Sequence, residues 1–106
     1  MTLPEISVQE LHELRKAKAD VLILDVRNAD EYAICHLNGY LIPMNELPTR
    51  YQELNPEQQI VVHCHAGGRA RRATEFLIQQ GFKRVFNLKG GITAWANEID
   101  PQMAKY

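Results

Sequence analysis

The chain has 106 residues, 45% of them hydrophobic, enough for one modest core without structural metals or a disulfide framework and too few for a second domain. A formal net charge of -1 offers no electrostatic footprint for nucleic acid, and the longest apolar run, inside "ADVLILDV", is far too short to cross a bilayer. A soluble single domain over residues 1–106, without nucleic-acid or membrane partners, is the expectation.

The first stretch, "MTLPEISVQELHEL", has neither a basic start with an apolar core nor a small-residue cleavage site, so no export signal is expected and the default compartment is cytoplasmic. Ser7 and Glu10 form a capping-box pattern, and Val8, Leu11, Leu14 and Arg15 behind it have helical spacing, which predicts a helix from Ser7 to Ala17 ended by Asp20. "VLIL", residues 21–24, reads as a strand buried on both faces that runs into Asp25. Helical patterns follow at Asn28 to Ile34 and Glu46 to Tyr51.

"IVVH", residues 60–63, repeats the buried-strand design and runs into Cys64. A helix is predicted from Gly68 to Gln80, with Gly81 as its C′ residue. A third apolar run, Arg84 to Leu88, leads to Gly90 and Gly91 and a final helix from Ile92 to Glu98. Strands alternating with helices at this spacing predict an α/β sandwich with a largely parallel central sheet. Ligands of such sheets sit beyond the carboxyl ends of the strands, which directs attention to the loop after His63.

That loop, "HCHAGGRA", admits three readings: a metal cluster, a phosphate cradle, or a pocket for a reactive thiolate. The metal reading would use His63, Cys64, His65, Cys35 and His36. Adjacent strand residues point to opposite faces, however, and no CxxC or helical HxxxH pair is present, so neither a metal nor another cofactor is expected. A tight turn from strand to helix, permitted by Gly67 and Gly68, presents backbone amides inward, and these with the positive helix end stabilise a thiolate. Arg69, Arg71 and Arg72 add positive charge nearby. A lone cysteine at a strand end is ordinarily a small buried hydrophobe, but strand, cysteine, paired glycines, arginine and helix together favour a nucleophile. Cys35 and Cys64 are expected to remain thiols rather than to pair.

Four stretches in order, "LILDVRNADEY", "HLNGYLIPMNEL", "VVHCHAGGRA" and "LKGGITAW", resemble the rhodanese-like domain family of sulfurtransferases and span residues 22 to 95. The resemblance implies a three-layer sandwich with a five-stranded, mostly parallel sheet flanked by helices. It makes Cys64 the sulfur-carrying nucleophile, with His65, Ala66, Gly67, Gly68 and Arg69 completing a six-residue loop whose amides cradle a persulfide. Arg69 would bind the anionic donor at the mouth or tie the loop to neighbouring carboxylates, and His65 would be a second contact. Asp25 and Arg27 match the family's D-x-R pattern, which supports the loop, and Glu31 is a candidate partner for Arg27. His36 and Gly39, Ile42 and Pro43, and Gly90, Gly91 and Trp95 match elements expected to be structural.

The implied reaction is double displacement: Cys64 takes sulfur from thiosulfate or a persulfide donor and hands it to an acceptor, either cyanide, a small thiol or a protein cysteine. Related dual-specificity phosphatases place one more residue between cysteine and arginine. The four residues between Cys64 and Arg69 therefore favour sulfur over phosphate, leaving phosphatase or arsenate reductase chemistry as a weaker reading. A relay module that passes persulfide between proteins is a further alternative. Tyr40 and Leu41 stand where the family commonly has alanine and asparagine, which predicts a bulkier wall, and Ala70 lacks the usual hydroxyl after the loop arginine. Ile99 replaces a common glycine. Cys35, outside the pattern, is expected to be a buried thiol, with a resolving cysteine as the sharper alternative.

Overall fold

The computed structural model describes residues 3–106. In chain order it contains β1 (Glu5–Ile6), α1 (Val8–Lys16), β2 (Val21–Asp25), α2 (Ala29–Ile34), β3 (Tyr40–Leu41), α3 (Leu47–Arg50), β4 (Gln59–His63), α4 (Gly68–Gln79), β5 (Val85–Leu88) and α5 (Gly91–Glu98). The strands form one sheet in the order β1-β5-β4-β2-β3, and every neighbouring pair is parallel. The fold is the expected α/β sandwich.

Local chemistry accounts for the ends of the elements. Ser7 Oγ accepts from the Glu10 amide and Glu10 Oε1 from the Ser7 amide, both at 3.0 Å, completing the capping box of α1. That helix stops at Lys16, and Lys18 turns the chain with φ 56, so Asp20 lies beyond the turn rather than at the helix end. At the far end of α4, Gly81 (φ 95) donates to the Ile78 carbonyl and Phe82 to that of Leu77, a Schellman closure. The helix predicted over Glu46 to Tyr51 is instead three consecutive turns, a 3-10 turn at Met44–Glu46, α3, and a second 3-10 turn at Tyr51–Glu53. Pro48 and the short span keep it from winding into a longer helix. β1, at two residues, is too short to show a periodicity in the sequence.

Two apolar layers enclose the sheet. On one face Leu24, Ile60, Val62 and Cys64 pack with Ala70, Ala73 and Leu77 of α4 and with Leu47. On the other, Val61 and Leu88 pack with Val8 and Leu11 of α1 and Ile92 and Trp95 of α5. Trp95 is a core aromatic, its ring 5.8 Å from His12 in an edge contact and 5.3 Å from the Arg15 guanidinium. From central β4 the chain moves outward to β5, whereas β2 leads to β3 on the opposite side. The carboxyl ends of β2 and β4 therefore border the crevice where such sheets bind ligands.

Among the described residues, no helix is long and apolar enough to cross a membrane.

Candidate active site

β4 delivers Cys64 to the α4 side of the sheet and sends His63 the other way, as strand alternation requires. His63 is fully buried, its Nδ1 3.3 Å from the Cys64 carbonyl oxygen and its Nε2 3.6 Å from Asp25 Oδ2. Burial outweighs the attraction of Asp25 and pushes its pKa down, so the ring is neutral.

Cys64 is 1% exposed, and its Sγ accepts from the amides of Gly67 at 3.1 Å and Ala70 at 3.4 Å. Gly67 is the N-cap of α4 and Ala70 its third residue, so the sulfur occupies the place where a Ser or Asp oxygen usually satisfies a helix start. These donors and the helix dipole point at the charge a thiolate carries. Gly67 has φ 131 and needs to be glycine, but a Cβ on Gly68 would meet nothing within 4 Å. Only the first glycine is demanded by the turn. Ala70 contributes its amide, and its methyl is buried in the core.

The closing glycine pair supports this loop from below. The amides of Ile92 and Thr93, at the start of α5, donate to the carbonyls of Cys64 and His65 at 3.0 Å, and Thr93 Oγ1 adds a bond to His65 O at 2.9 Å. Gly91 has φ 62, and a Cβ there would stand 2.5 Å from the His65 oxygen and 2.8 Å from that of Cys64. Loop carbonyls thus satisfy the free amides of one helix while the loop sulfur satisfies those of another.

Arg69 sits at the rim with 29% of its side chain exposed. Its Nη1 and Nη2 donate to Glu31 Oε1 and Oε2 at 2.7 and 2.9 Å, a two-pronged pair. Glu31 thus pairs with Arg69 and not, as its spacing suggested, with Arg27: the Arg27 side chain turns inward and meets only the Glu31 backbone carbonyl, at 3.3 Å. Glu31 Oε1 also accepts from the Asn28 amide and Oε2 from the Tyr106 hydroxyl at 2.9 Å. Arg69 foremost, with these two further donors, holds the carboxyl at about 2, below its ordinary 4.5.

Asp25 and Arg27 form a second pair with neither side chain exposed. Arg27 Nε and Nη2 grip the carboxylate at 3.0 and 2.7 Å, and its backbone amide adds a bond to Oδ1. Burial works against the Arg27 charge, but Asp25 and Tyr106 offset it and its pKa lies above the ordinary value. The same guanidinium donates to the Cys35 carbonyl at 2.8 Å, closing the end of α2. Arg27 therefore reaches the loop indirectly, by fixing the helix that carries Glu31.

Tyr106 joins the two pairs and had no signal in the sequence. Its hydroxyl accepts from Arg27 Nη1 at 3.0 Å while donating to Glu31, and its ring stacks on His65 with centroids 4.1 Å apart. Tyr106 and His65 line a cavity of about 200 Å³ together with Cys35, Ile92 and Thr93. Ala66 and Gly68 are exposed at the tip of the loop.

The remaining matched residues shape the scaffold. Gly39 lies where a Cβ would come 3.0 Å from the Ile23 carbonyl oxygen, and His36 Nδ1 accepts from the Asn38 amide while its ring stacks on Tyr32. Tyr40 lines a surface groove with Val21, Ile23 and Leu37, so the bulk it adds lies along β2 and β3. It lies on the edge strand and donates to Glu53 at the surface. Cys35 and Cys64 are both free thiols in opposite core layers, with Cys35 Sγ 4.0 Å from Arg27 Nη1.

Comparison with known proteins identifies the family and fold of the chain. The family model described as Rhodanese-like domain matches residues 7–98. The chain is 37% identical over 101 residues to a sulfurtransferase of Allochromatium vinosum, covering 94% of each, and 34% identical to the thiosulfate sulfurtransferase GlpE of Coxiella burnetii, covering 90% of this chain and 89% of that protein. The crystal structure of a rhodanese-like domain protein from Staphylococcus aureus superposes with a TM-score of 0.83 at 28% identity, covering 97% of this chain and 98% of that one.

Proposed function

The chain belongs to the rhodanese-like domain family, and from that premise we propose that it is a sulfurtransferase working through a persulfide on Cys64. The observation that carries this reading is the position of Cys64 Sγ as the cap of α4, with the Gly67 and Ala70 amides directed at it. A thiolate held this way needs no separate general base. It attacks the outer sulfur of thiosulfate, an S–S bond forms on Cys64 as the donor's S–S bond breaks, and the electron pair leaves with sulfite. A persulfide donor reacts alike and releases a thiol. The first amides of α4, those of Gly68 and Arg69, have no acceptor within the helix and are the groups that cradle the transferred sulfur. An acceptor thiol, protein cysteine or cyanide then removes it. Arg69 and His65 are the side chains that would contact the donor, and Asp25 and Arg27 fix α2, which carries the Arg69 partner Glu31.

Thiosulfate-dependent formation of thiocyanate from cyanide, abolished in Cys64→Ser, is the expected assay result. Robust Cys64-dependent hydrolysis of an aryl phosphate without sulfur transfer would instead place the chain with the cysteine phosphatases.

A further inference from the structure

The arginine best placed to receive a sulfur-containing anion already holds an anion of its own. Both Nη atoms of Arg69, the fork that would grip two oxygens of an incoming donor, are bonded to the Glu31 carboxylate. This carboxylate does not swing freely: it belongs to α2 and takes hydrogen bonds from the Asn28 amide and the Tyr106 hydroxyl. Tyr106 is anchored in turn by buried Arg27 and by the face of His65. At Arg69 the rim therefore presents one positive and one fixed negative group side by side, while Arg71 farther along α4 is paired with Glu5.

We infer that Glu31, held by Tyr106, is a specificity-determining residue that makes this site favour singly charged sulfane-sulfur donors over the thiosulfate dianion. The inference rests on the sulfur-transfer reading above and adds to it the charge class of the donor. A donor with one negative charge can share Arg69 or use the loop amides alone, whereas the second charge of thiosulfate faces the Glu31 carboxylate. At a half-exposed rim such a contact changes binding by about tenfold, and salt weakens it.

Methanethiosulfonate tests this, because it is thiosulfate with a methyl group in place of one charged oxygen. Cys64 thiolate takes its outer sulfur, forming the Cys64 S–S bond and releasing methanesulfinate with the electron pair, so the chemistry matches and only the charge differs. The quantity read is the ratio of kcat/KM for methanethiosulfonate to that for thiosulfate, with cyanide as acceptor. Glu31→Gln is expected to lower the ratio about tenfold by improving thiosulfate, and to make its thiosulfate KM rise with ionic strength more steeply than in the wild type. Tyr106→Phe, which keeps the ring and loses the hydroxyl, is expected to lower it about twofold, and Glu31→Asp to retain a ratio nearer the wild type. A merely structural role for Glu31 would depress both donors together and leave the ratio unchanged, which would overturn the inference. If neither donor delivers sulfur to the wild-type protein, the sulfurtransferase reading falls and this inference with it. Transfer from both donors at unaltered ratios in Glu31→Gln and Tyr106→Phe overturns this inference alone.

Discussion

Asp25–Arg27 and Glu31–Arg69 are both forked arginine–carboxylate pairs, joined through the Tyr106 hydroxyl, yet the first is wholly buried while the second leaves 29% of Arg69 and 16% of Glu31 exposed. Burial assigns them different work. A buried pair is costly to form and far costlier to break, so Arg27 acts as a post that fixes α2 and the carbonyl of Cys35. The outer pair, forked and partly exposed, lends stability too, but water can reach the partner left behind when it is broken, so Arg69 and Glu31 are freer to be set by function.

The largest effect should come from breaking the inner pair alone. Arg27→Ala strips the buried Asp25 carboxylate of its guanidinium, leaving it only the backbone amide at position 27, and is expected to lose about 3–5 kcal/mol in urea unfolding, while Asp25→Ala combined with Arg27→Met recovers part of that loss. Next, Gly91→Ala, which forces a side chain into φ 62 against the carbonyls of Cys64 and His65, should cost about 2–3 kcal/mol and reduce sulfur loading of Cys64. The outer pair should behave differently: Arg69→Ala is expected to cost about 1–2 kcal/mol, less than the inner pair because it strands no charge in the core, while slowing sulfur loading from anionic donors. An equal loss of stability in Arg27→Ala and Arg69→Ala would erase the distinction between the pairs.

Acid sharpens the same contrast on a smaller scale. Glu31 titrates at about 2 in the folded protein against an ordinary 4.5, so the stability it lends is complete above the ordinary value and lost as pH falls toward 2. The stability difference between wild type and Glu31→Gln, followed by urea unfolding from pH 6 downward, should therefore shrink across that window and not change above it.

What could be read from the sequence divides along the same line as the physics. Cys64, its four-residue separation from Arg69, and the Ser7–Glu10 cap are local patterns, and each appears in the structure where spacing places it. The three apolar strand runs were legible because both sheet faces are covered, fully along most of β4 and only partly along β2, where Val21 to Ile23 are half-buried. Glu31 was harder: four residues from Arg27 on a helical path, it looked like that arginine's partner, but Arg27 leaves β2 pointing into the core and Asp25 claims it first. Tyr106 was illegible because its contacts with Arg27, Glu31 and His65 are all made across long stretches of chain. Gly91 was matched as a motif residue, but its reason, the approach of α5 to two loop carbonyls, exists only in three dimensions.

The most direct test of the Cys64 persulfide is intact-protein mass spectrometry after incubation with thiosulfate, methanethiosulfonate or an alkyl persulfide, followed by cyanide. A gain of one sulfur atom on Cys64 that cyanide removes and Cys64→Ala abolishes is the expected result. Loading that persists in Cys64→Ala, or no loading from any of the three donors, would contradict it.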